Sequence, residues 1–381
     1  MIRILLFKII IFLIFIFTCT NPTEVRKTAE NRINESAISE ITTSFYKDDS
    51  IILGTLHRID KNGYLPWSDS HGFTDISESE QLEADDLFAI GSITKTYTAT
   101  IILQLMEEGK INIDSLAIKY VPNSFKAILD SMQYGPDVKV IHLLNHTSGI
   151  FSYTWIEQFF IDRYANLSQS ISVYDIMNYV TEYGWFVNYP GTEYHYSNTN
   201  YVILGVIIEH ITGKSYIDNL VERIFNPLNL SNTFLAEGML GSYSQEIIHG
   251  YDVDYGRVTD IYELNFDASC WSAGGIISNT KDLSIFITAL CKGELFALEN
   301  TFQLMLELED DNWYGLGIFV REHTDIGQYY GHGGGHQGTN SVMFYFPSID
   351  CAYSSCITIN GNGGYINPED ELADILEVLN E

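Results

Sequence analysis

Basic residues are scarce: Lys and Arg total 20 against 50 Asp and Glu, a formal charge of −30 over 381 residues. So acidic a surface repels phosphate backbones, which excludes nucleic acid as a partner. Proline occurs 8 times and charged residues make up only 18%, while 46% are apolar, so a disordered chain is excluded too. Five cysteines with no C-x-x-C pair leave neither a disulfide scaffold nor a zinc knuckle. No serine sits in G-x-S-x-G, Walker A is missing, and no G-x-G-x-x-G stands between a strand and a helix. His142 and His146 have helical i, i+4 spacing, but Leu143 stands where the H-E-x-x-H motif needs Glu. His332 and His336 share that spacing, yet three intervening glycines oppose a helix. What remains is an acidic, aromatic-rich globular chain, either one large fold or two interleaved lobes.

The amino terminus has its own pattern. Arg3 and Lys8 flank an apolar stretch that ends in Ile9 to Phe17, with Thr18-Cys19 directly after it. A basic n-region and a short h-region mark residues 1–18 as a signal peptide, and the chain as exported. The cysteine straight after the apolar run resembles a bacterial lipoprotein signal, which implies a lipid on Cys19, membrane association and a periplasmic or membrane-anchored location. Residues 19–35 would then form a polar tether, and residues 36–381 the folded domain.

Within that domain, Ile51 to Arg58 reads as a strand and Lys61-Asn62-Gly63 as the turn after it. Residues 93–108 carry Tyr97, Ile101, Ile102, Leu105 and Met106 at helical spacing, with Gly109 as the stop. Tyr201 to Ile211 is apolar almost all round and ends at Thr212-Gly213, a buried helix interrupted by Gly205. Tyr314 to Val320, Ser341 to Phe346 and Ala352 to Ile359 have strand composition, and Glu369 to Leu379 reads as a terminal helix. On the last of these strands Cys351 and Cys356 are five apart and face opposite ways. Strands at both ends with helices between predict an α+β fold. One antiparallel sheet is built from about 36–110 and 305–381, and an all-helical lobe from about 111–304 is inserted.

Three S-x-x-K tripeptides occur, at Ser44/Lys47, Ser92/Lys95 and Ser278/Lys281, so the tripeptide alone carries nothing. Ser92 differs in context, because it opens the long helix after Phe88-Ala89-Ile90-Gly91. At i, i+3 a lysine faces the hydroxyl, and the helix start adds unsatisfied N–H groups beside it. A lysine kept neutral by burial can serve as the base that such a nucleophile needs. Y-x-N also occurs three times, at Tyr164, Tyr196 and Tyr365, and Tyr196-Ser197-Asn198 is the one that precedes a buried helix. H-x-G occurs in two registers, from His332 and from His336, in a glycine run where a substrate backbone can approach closely.

Taken in order, Ser92-x-x-Lys95, Tyr196-x-Asn198 and His332-x-Gly334 resemble the three boxes of the serine penicillin-recognising enzymes. The tyrosine box is similar to the branch of class C beta-lactamases, D-alanyl-D-alanine carboxypeptidases and related esterases. Leu144-Asn145-His146-Thr147-Ser148-Gly149, Gly274-Gly275-Ile276-Ile277-Ser278 and Tyr314-Gly315-Leu316-Gly317 resemble the same branch, over about residues 50–365.

That resemblance implies a beta-lactamase/transpeptidase-like fold and a covalent acyl transfer without metal or organic cofactor. It implies Ser92 as nucleophile, Lys95 and Tyr196 as proton carriers, and Asn198 on the substrate amide. It places the backbone N–H groups of Ser92 and Gly335 in an oxyanion hole beyond Gly334, and His332 beside the Tyr196 hydroxyl, helping to bind a negative substrate end. Tyr153, Trp155 and Trp271 are each read as either lining the cleft or packing in the core. The substrate class implied is a small peptide of D-alanyl-D-alanine type, with beta-lactams or esters as alternatives. The histidine in the third box leans towards a peptidase or general hydrolase. A slowly acylating, non-catalytic sensor is the reading from another class, and fold alone does not choose among them.

Overall fold

Ile52–Lys61, buried at its first six positions, makes the fifth strand of a six-stranded sheet, one in from the edge. We number its strands β1 (Ile52–Lys61), β2 (Trp67–Gly72), β3 (Phe319–His323), β4 (Gly327–His336), β5 (Thr339–Phe346) and β6 (Cys351–Ile359). Their order is β3-β4-β5-β6-β1-β2, antiparallel throughout, so the two ends of the domain meet at the β6–β1 pair. The computed structural model describes residues 31–243, 247–254, 257–267, 269–308, 313–361 and 366–380. The expected signal peptide and Cys19 lie outside the described residues. The expected tether is shorter than residues 19–35, because Ile33 is buried and Asn31 bridges to Tyr64.

Five helices frame the sheet and the cleft beside it: α1 (Glu35–Asp48), α2 (Thr94–Glu107), α3 (Asn198–Thr212), α4 (Thr280–Cys291) and α5 (Leu372–Asn380). Alternation along the strands feeds two cores. Ile59, Phe344, Cys351 and Tyr353 meet Ile38 of α1 and Ile375 of α5 on one face. Leu56, Met343, Ala352 and Cys356 meet α2 and α4 on the other. Cys351 and Cys356 thus do face opposite ways. With helices on both sides, β5 and β6 are buried at every position, and each large aliphatic side chain so covered contributes ~1.5–3 kcal/mol.

Local expectations hold for the long helices and fail around glycines. Helix α2 stops at Gly109, which has φ +68°, and α3 stops at Gly213, which has φ +66°. Gly205 inside α3 exists for packing, since a Cβ there would stand 2.3 Å from the Ser272 hydroxyl. Tyr314 to Val320 is not one strand: Gly317, at φ +78°, turns the chain and β3 begins at Phe319. The glycine run read as preceding a strand is itself β4, the longest strand in this half of the sheet with ten residues. The insert at 111–304 is not all-helical. It holds short antiparallel pairs such as Tyr251–Asp254 with Arg257–Asp260, and α4 packs back onto the sheet.

Candidate active site

Ser92 lies in a single 3-10 turn, Gly91–Ile93, that runs straight into α2. Gly91 takes φ +51°, and a Cβ there would be 2.6–2.9 Å from the Gly335 backbone of β4. Gly334 is closer still to its neighbour, since a Cβ would stand 1.9 Å from the Ile90 carbonyl oxygen. Glycines on both sides therefore let the serine turn press against the sheet edge. Ser341 Oγ donates to the same Ile90 oxygen at 3.2 Å and fixes the approach.

Three side chains converge. Lys95 Nζ lies 2.9 Å from Ser92 Oγ and donates to the Ala273 carbonyl at 2.7 Å. The Tyr196 hydroxyl donates to Ser92 Oγ at 2.8 Å. Lys95 is fully buried, and burial holds its pKa well below the ordinary lysine value. Burial raises the Tyr196 pKa, so its hydroxyl keeps the proton. One group is thus poised to accept a proton and the other to give one.

The tyrosine is held from behind. His146, in the left-handed region at φ +61°, packs its ring 4.3 Å from the Tyr196 ring centroid and accepts from Ser197 N–H at 3.1 Å. Asn198 opens α3; its Nδ2 donates to Thr154 Oγ1 at 2.9 Å and its N–H to Ser152 Oγ at 3.1 Å. His146, Thr154 and the Ala273 carbonyl were not singled out in the sequence for these tasks. The signal was there for His146 and Ala273, which stand in or beside the Asn145–Gly149 and Gly274–Ser278 phrases.

His332 is placed differently from expectation. Its Nε2 faces the Tyr314 hydroxyl at 3.0 Å, its Nδ1 faces the Gly333 carbonyl, and its ring stacks on Phe319 at 4.2 Å. It does not reach the Tyr196 hydroxyl. The ring is 1% exposed, and burial pushes its pKa down to about 3, which leaves it neutral and unsuited to attract an anion.

A cavity of about 410 Å³ opens beside Ser92. Asn198, Gly335, Tyr153 and Thr154 line it, together with the apolar Phe159 and Leu167. Neither Trp155 nor Trp271 lines this cavity: Trp155 is half-exposed with its ring tilted 48° to that of His195 at 5.0 Å, and Trp271 packs against Tyr216. Cys270 and His336 do, with Sγ and Nε2 3.4 Å apart. No sequence signal pointed to that pair. The other S-x-x-K serines play no such part: Ser44 contacts Asp48, and Ser278 is buried against Thr233. Tyr365 lies outside the described residues. Among the described residues no three His, Cys, Asp or Glu side chains gather as a metal site.

A mixed sheet-and-helix fold with a serine, a buried lysine and a tyrosine at the lobe junction defines the class, that of beta-lactamase/transpeptidase-like proteins. The chain belongs to the beta-lactamase family, whose model matches residues 46–379. Penicillin-binding protein 4* of Bacillus subtilis (strain 168) is 28% identical over 305 residues, 75% of this chain and 64% of its own length. Teichoic acid D-alanine hydrolase of Staphylococcus aureus (strain MRSA252) is 26% identical over 279 residues, 72% of this chain and 64% of its own. The chain thus spans somewhat under two thirds of these curated relatives. Among solved structures, a D-stereospecific amidohydrolase from Streptomyces sp. superposes with a TM-score of 0.72 at 25% identity, covering 90% of this chain and 98% of that one. D-amino acid amidase from Ochrobactrum anthropi SV3 gives 0.75 at 21% identity, with the same coverage, and supports the fold.

Proposed function

We propose that the chain is a serine hydrolase that forms an acyl-enzyme on Ser92 and cleaves D-alanyl-type amides and esters, D-alanyl-D-alanine peptides among them. The observation that carries this reading is the pair of contacts on Ser92 Oγ, 2.9 Å from Lys95 Nζ and 2.8 Å from the Tyr196 hydroxyl. The neutral lysine takes the Ser92 proton as Oγ attacks the carbonyl. The oxyanion that forms is met by the Ser92 and Gly335 backbone N–H groups. Tyr196 gives its proton to the departing amine or alkoxide and regains one from Lys95. Water then attacks the ester, giving one proton back by the same route, and the acid leaves. Asn198, on the cavity wall, holds the substrate amide through its side chain. The relatives' printed names, a D-alanine hydrolase and a D-stereospecific amidohydrolase, fit this chemistry.

The test is incubation of residues 31–381 with a penicillin, followed by intact mass and peptide mapping. The reading requires a Ser92 adduct that is absent from Ser92→Ala, and D-alanine release from D-alanyl-D-alanine peptides or D-alanyl esters. Label on Ser44 or Ser278 would overturn it. Rapid cephalosporin turnover with no release of D-alanine would replace it with a beta-lactamase; a stoichiometric burst with no turnover of any substrate would leave a sensor. Export and lipidation of Cys19 are proposed separately. They require a mature N-terminus at a lipid-bearing Cys19 when the full chain is made in a bacterial host, and a mature chain starting elsewhere would end that proposal.

A further inference from the structure

Cys270 and His336 both line the Ser92 cavity and take no part in the proton transfers assigned above. They stand 66 residues apart in the chain, yet Sγ lies 3.4 Å from Nε2. Each is held from behind. The Cys270 N–H donates to the Asp267 carbonyl at 3.0 Å, and the Asp267 carboxylate accepts from the N–H groups of Ile171 at 2.8 Å and Ser269 at 2.9 Å. The His336 ring stacks on Phe266 at 4.8 Å. Its Nδ1 lies 2.7 Å from Gln337 Oε1 and 3.2 Å from Gln337 N. Oε1 can only accept, so the shorter contact places the ring hydrogen on Nδ1 and leaves the Nε2 lone pair facing the sulfur. Burial lowers the His336 pKa to about 4 and raises that of the Cys270 thiol to about 12. At rest a neutral thiol therefore donates to a neutral ring.

The same pair suits a metal ion. A neutral imidazole whose far N–H is fixed by an oxygen acceptor is oriented as metal-ligating histidines are. Zinc bonds of about 2.3 Å to sulfur and about 2.0–2.1 Å to nitrogen, opened at a tetrahedral angle, span about 3.5 Å. The observed separation matches that span. Thiolate and imidazole together favour zinc-class ions over magnesium or calcium, which take oxygen ligands. Among the described residues no third His, Cys, Asp or Glu side chain joins the pair. The other coordination positions fall to water or to the Ser269 hydroxyl, which lines the cavity 3.9 Å from Sγ. Two protein ligands instead of four make such an ion exchangeable.

We propose that Cys270 and His336 form a two-ligand site for a zinc-class divalent ion, and that an ion held there obstructs the cavity and stops acylation of Ser92. On binding, the S–H bond breaks, a sulfur–metal bond forms and the proton leaves to solvent. His336 directly follows Gly335 in β4, so the ion stands beside the strand that faces the nucleophile. The blocking of Ser92 rests on the acyl-enzyme reading above; the binding of the ion does not.

The experiment titrates the purified chain with Co²⁺ and follows the thiolate-to-cobalt charge-transfer absorption, then displaces Co²⁺ with Zn²⁺. In parallel, labelling of Ser92 by a fluorescent penicillin and hydrolysis of p-nitrophenyl acetate are measured. The proposal requires a cobalt–thiolate band in the wild type that Zn²⁺ removes. Labelling and ester hydrolysis should fall in step with Zn²⁺ occupancy, return with a chelator and ignore Mg²⁺. Cys270→Ala and His336→Gln should lose the band and the inhibition, while Cys291→Ala keeps both. Gln337→Ala should weaken Zn²⁺ binding by roughly 10- to 100-fold, which tests the site if the ligand variants fail to fold. Absence of the band in the wild type overturns the proposal, and so does a band or an inhibition that survives in Cys270→Ala. Zn²⁺ bound at the pair with labelling undiminished overturns the blocking. If Ser92 takes no label even without metal, the acyl-enzyme reading fails, and the cobalt band still decides the ion site.

Discussion

Gly334 lies so close beneath Ile90 that a Cβ would stand 1.9 Å from the Ile90 carbonyl oxygen. The backbone two residues before the nucleophile and the backbone of β4 are in direct contact, and that contact sets where Ser92 sits relative to Gly335. Gly334→Ala cannot be absorbed by a side-chain movement, because the obstacle is main chain. We expect a loss of ~1–3 kcal/mol in stability and an activity loss well beyond it, as the turn is displaced from the strand. Thermal melts alongside kcat/KM check this; an Ala variant with unchanged activity would show that the two segments are not coupled.

Lys95 and Tyr196 divide the proton work by environment. Lys95→Ala and Tyr196→Phe should each slow acylation of Ser92 by roughly 10²–10⁴. Lys95→Arg should not rescue, since a guanidinium stays protonated. Because burial lowers the Lys95 pKa, kcat/KM should rise with pH as its ammonium loses a proton, at a pH well below the ordinary lysine value. Because burial raises the Tyr196 pKa, no alkaline fall from its ionisation is expected near pH 9. Stopped-flow acylation across pH 5–9 reads both limbs.

Three histidines make the protein sensitive to acid. Burial lowers His332 to about 3 and His142 and His336 to about 4. Their folded values lie below the unfolded value of 6.5, so the unfolded chain binds more protons in between. Their contribution is fully present above about pH 6.5 and is lost as pH falls towards those values. The melting temperature should therefore drop steadily from pH 6.5 to 4, and His332→Gln should make the drop shallower. A flat melting profile over that range would contradict the buried, neutral placement of these rings.

Arg163 should matter for stability rather than for charge recognition. Arg163 pairs with Asp267 at 3.1 Å with both side chains buried, so Arg163→Ala leaves Asp267 without its cation, which costs about 3–5 kcal/mol in comparable cases. Arg163→Met with Asp267→Asn should recover much of that loss, because the removed charges balance. Denaturant titrations of the two variants distinguish a strut from an anion receptor, which the double change would leave unable to bind acidic substrates.

Patterns carried along the chain were readable without coordinates. The spacing of Tyr97, Ile101, Ile102 and Leu105 fixes α2, Gly109 and Gly213 mark helix ends, and strand composition at 341–346 and 352–359 marks β5 and β6. The order Ser92, Lys95, Tyr196, Asn198, His332 pointed to the family, and the parity of Cys351 and Cys356 gave their opposite faces. Each of these depends on local periodicity or on residue order. Strand β4 was hidden because Gly333, Gly334 and Gly335 have no side chains to show alternation; only pairing with β5 makes them a strand. The surroundings of His332 were set by Tyr314 and Phe319, which reach it across a turn and a neighbouring strand, so burial turned an expected charge into a neutral ring. The meeting of Arg163 with Asp267, of Cys270 with His336 and of Asp252 with the Ser92 cavity joins segments far apart in the chain. Charge state and partner at such sites depend on desolvation and distance, and those exist only once the chain has folded.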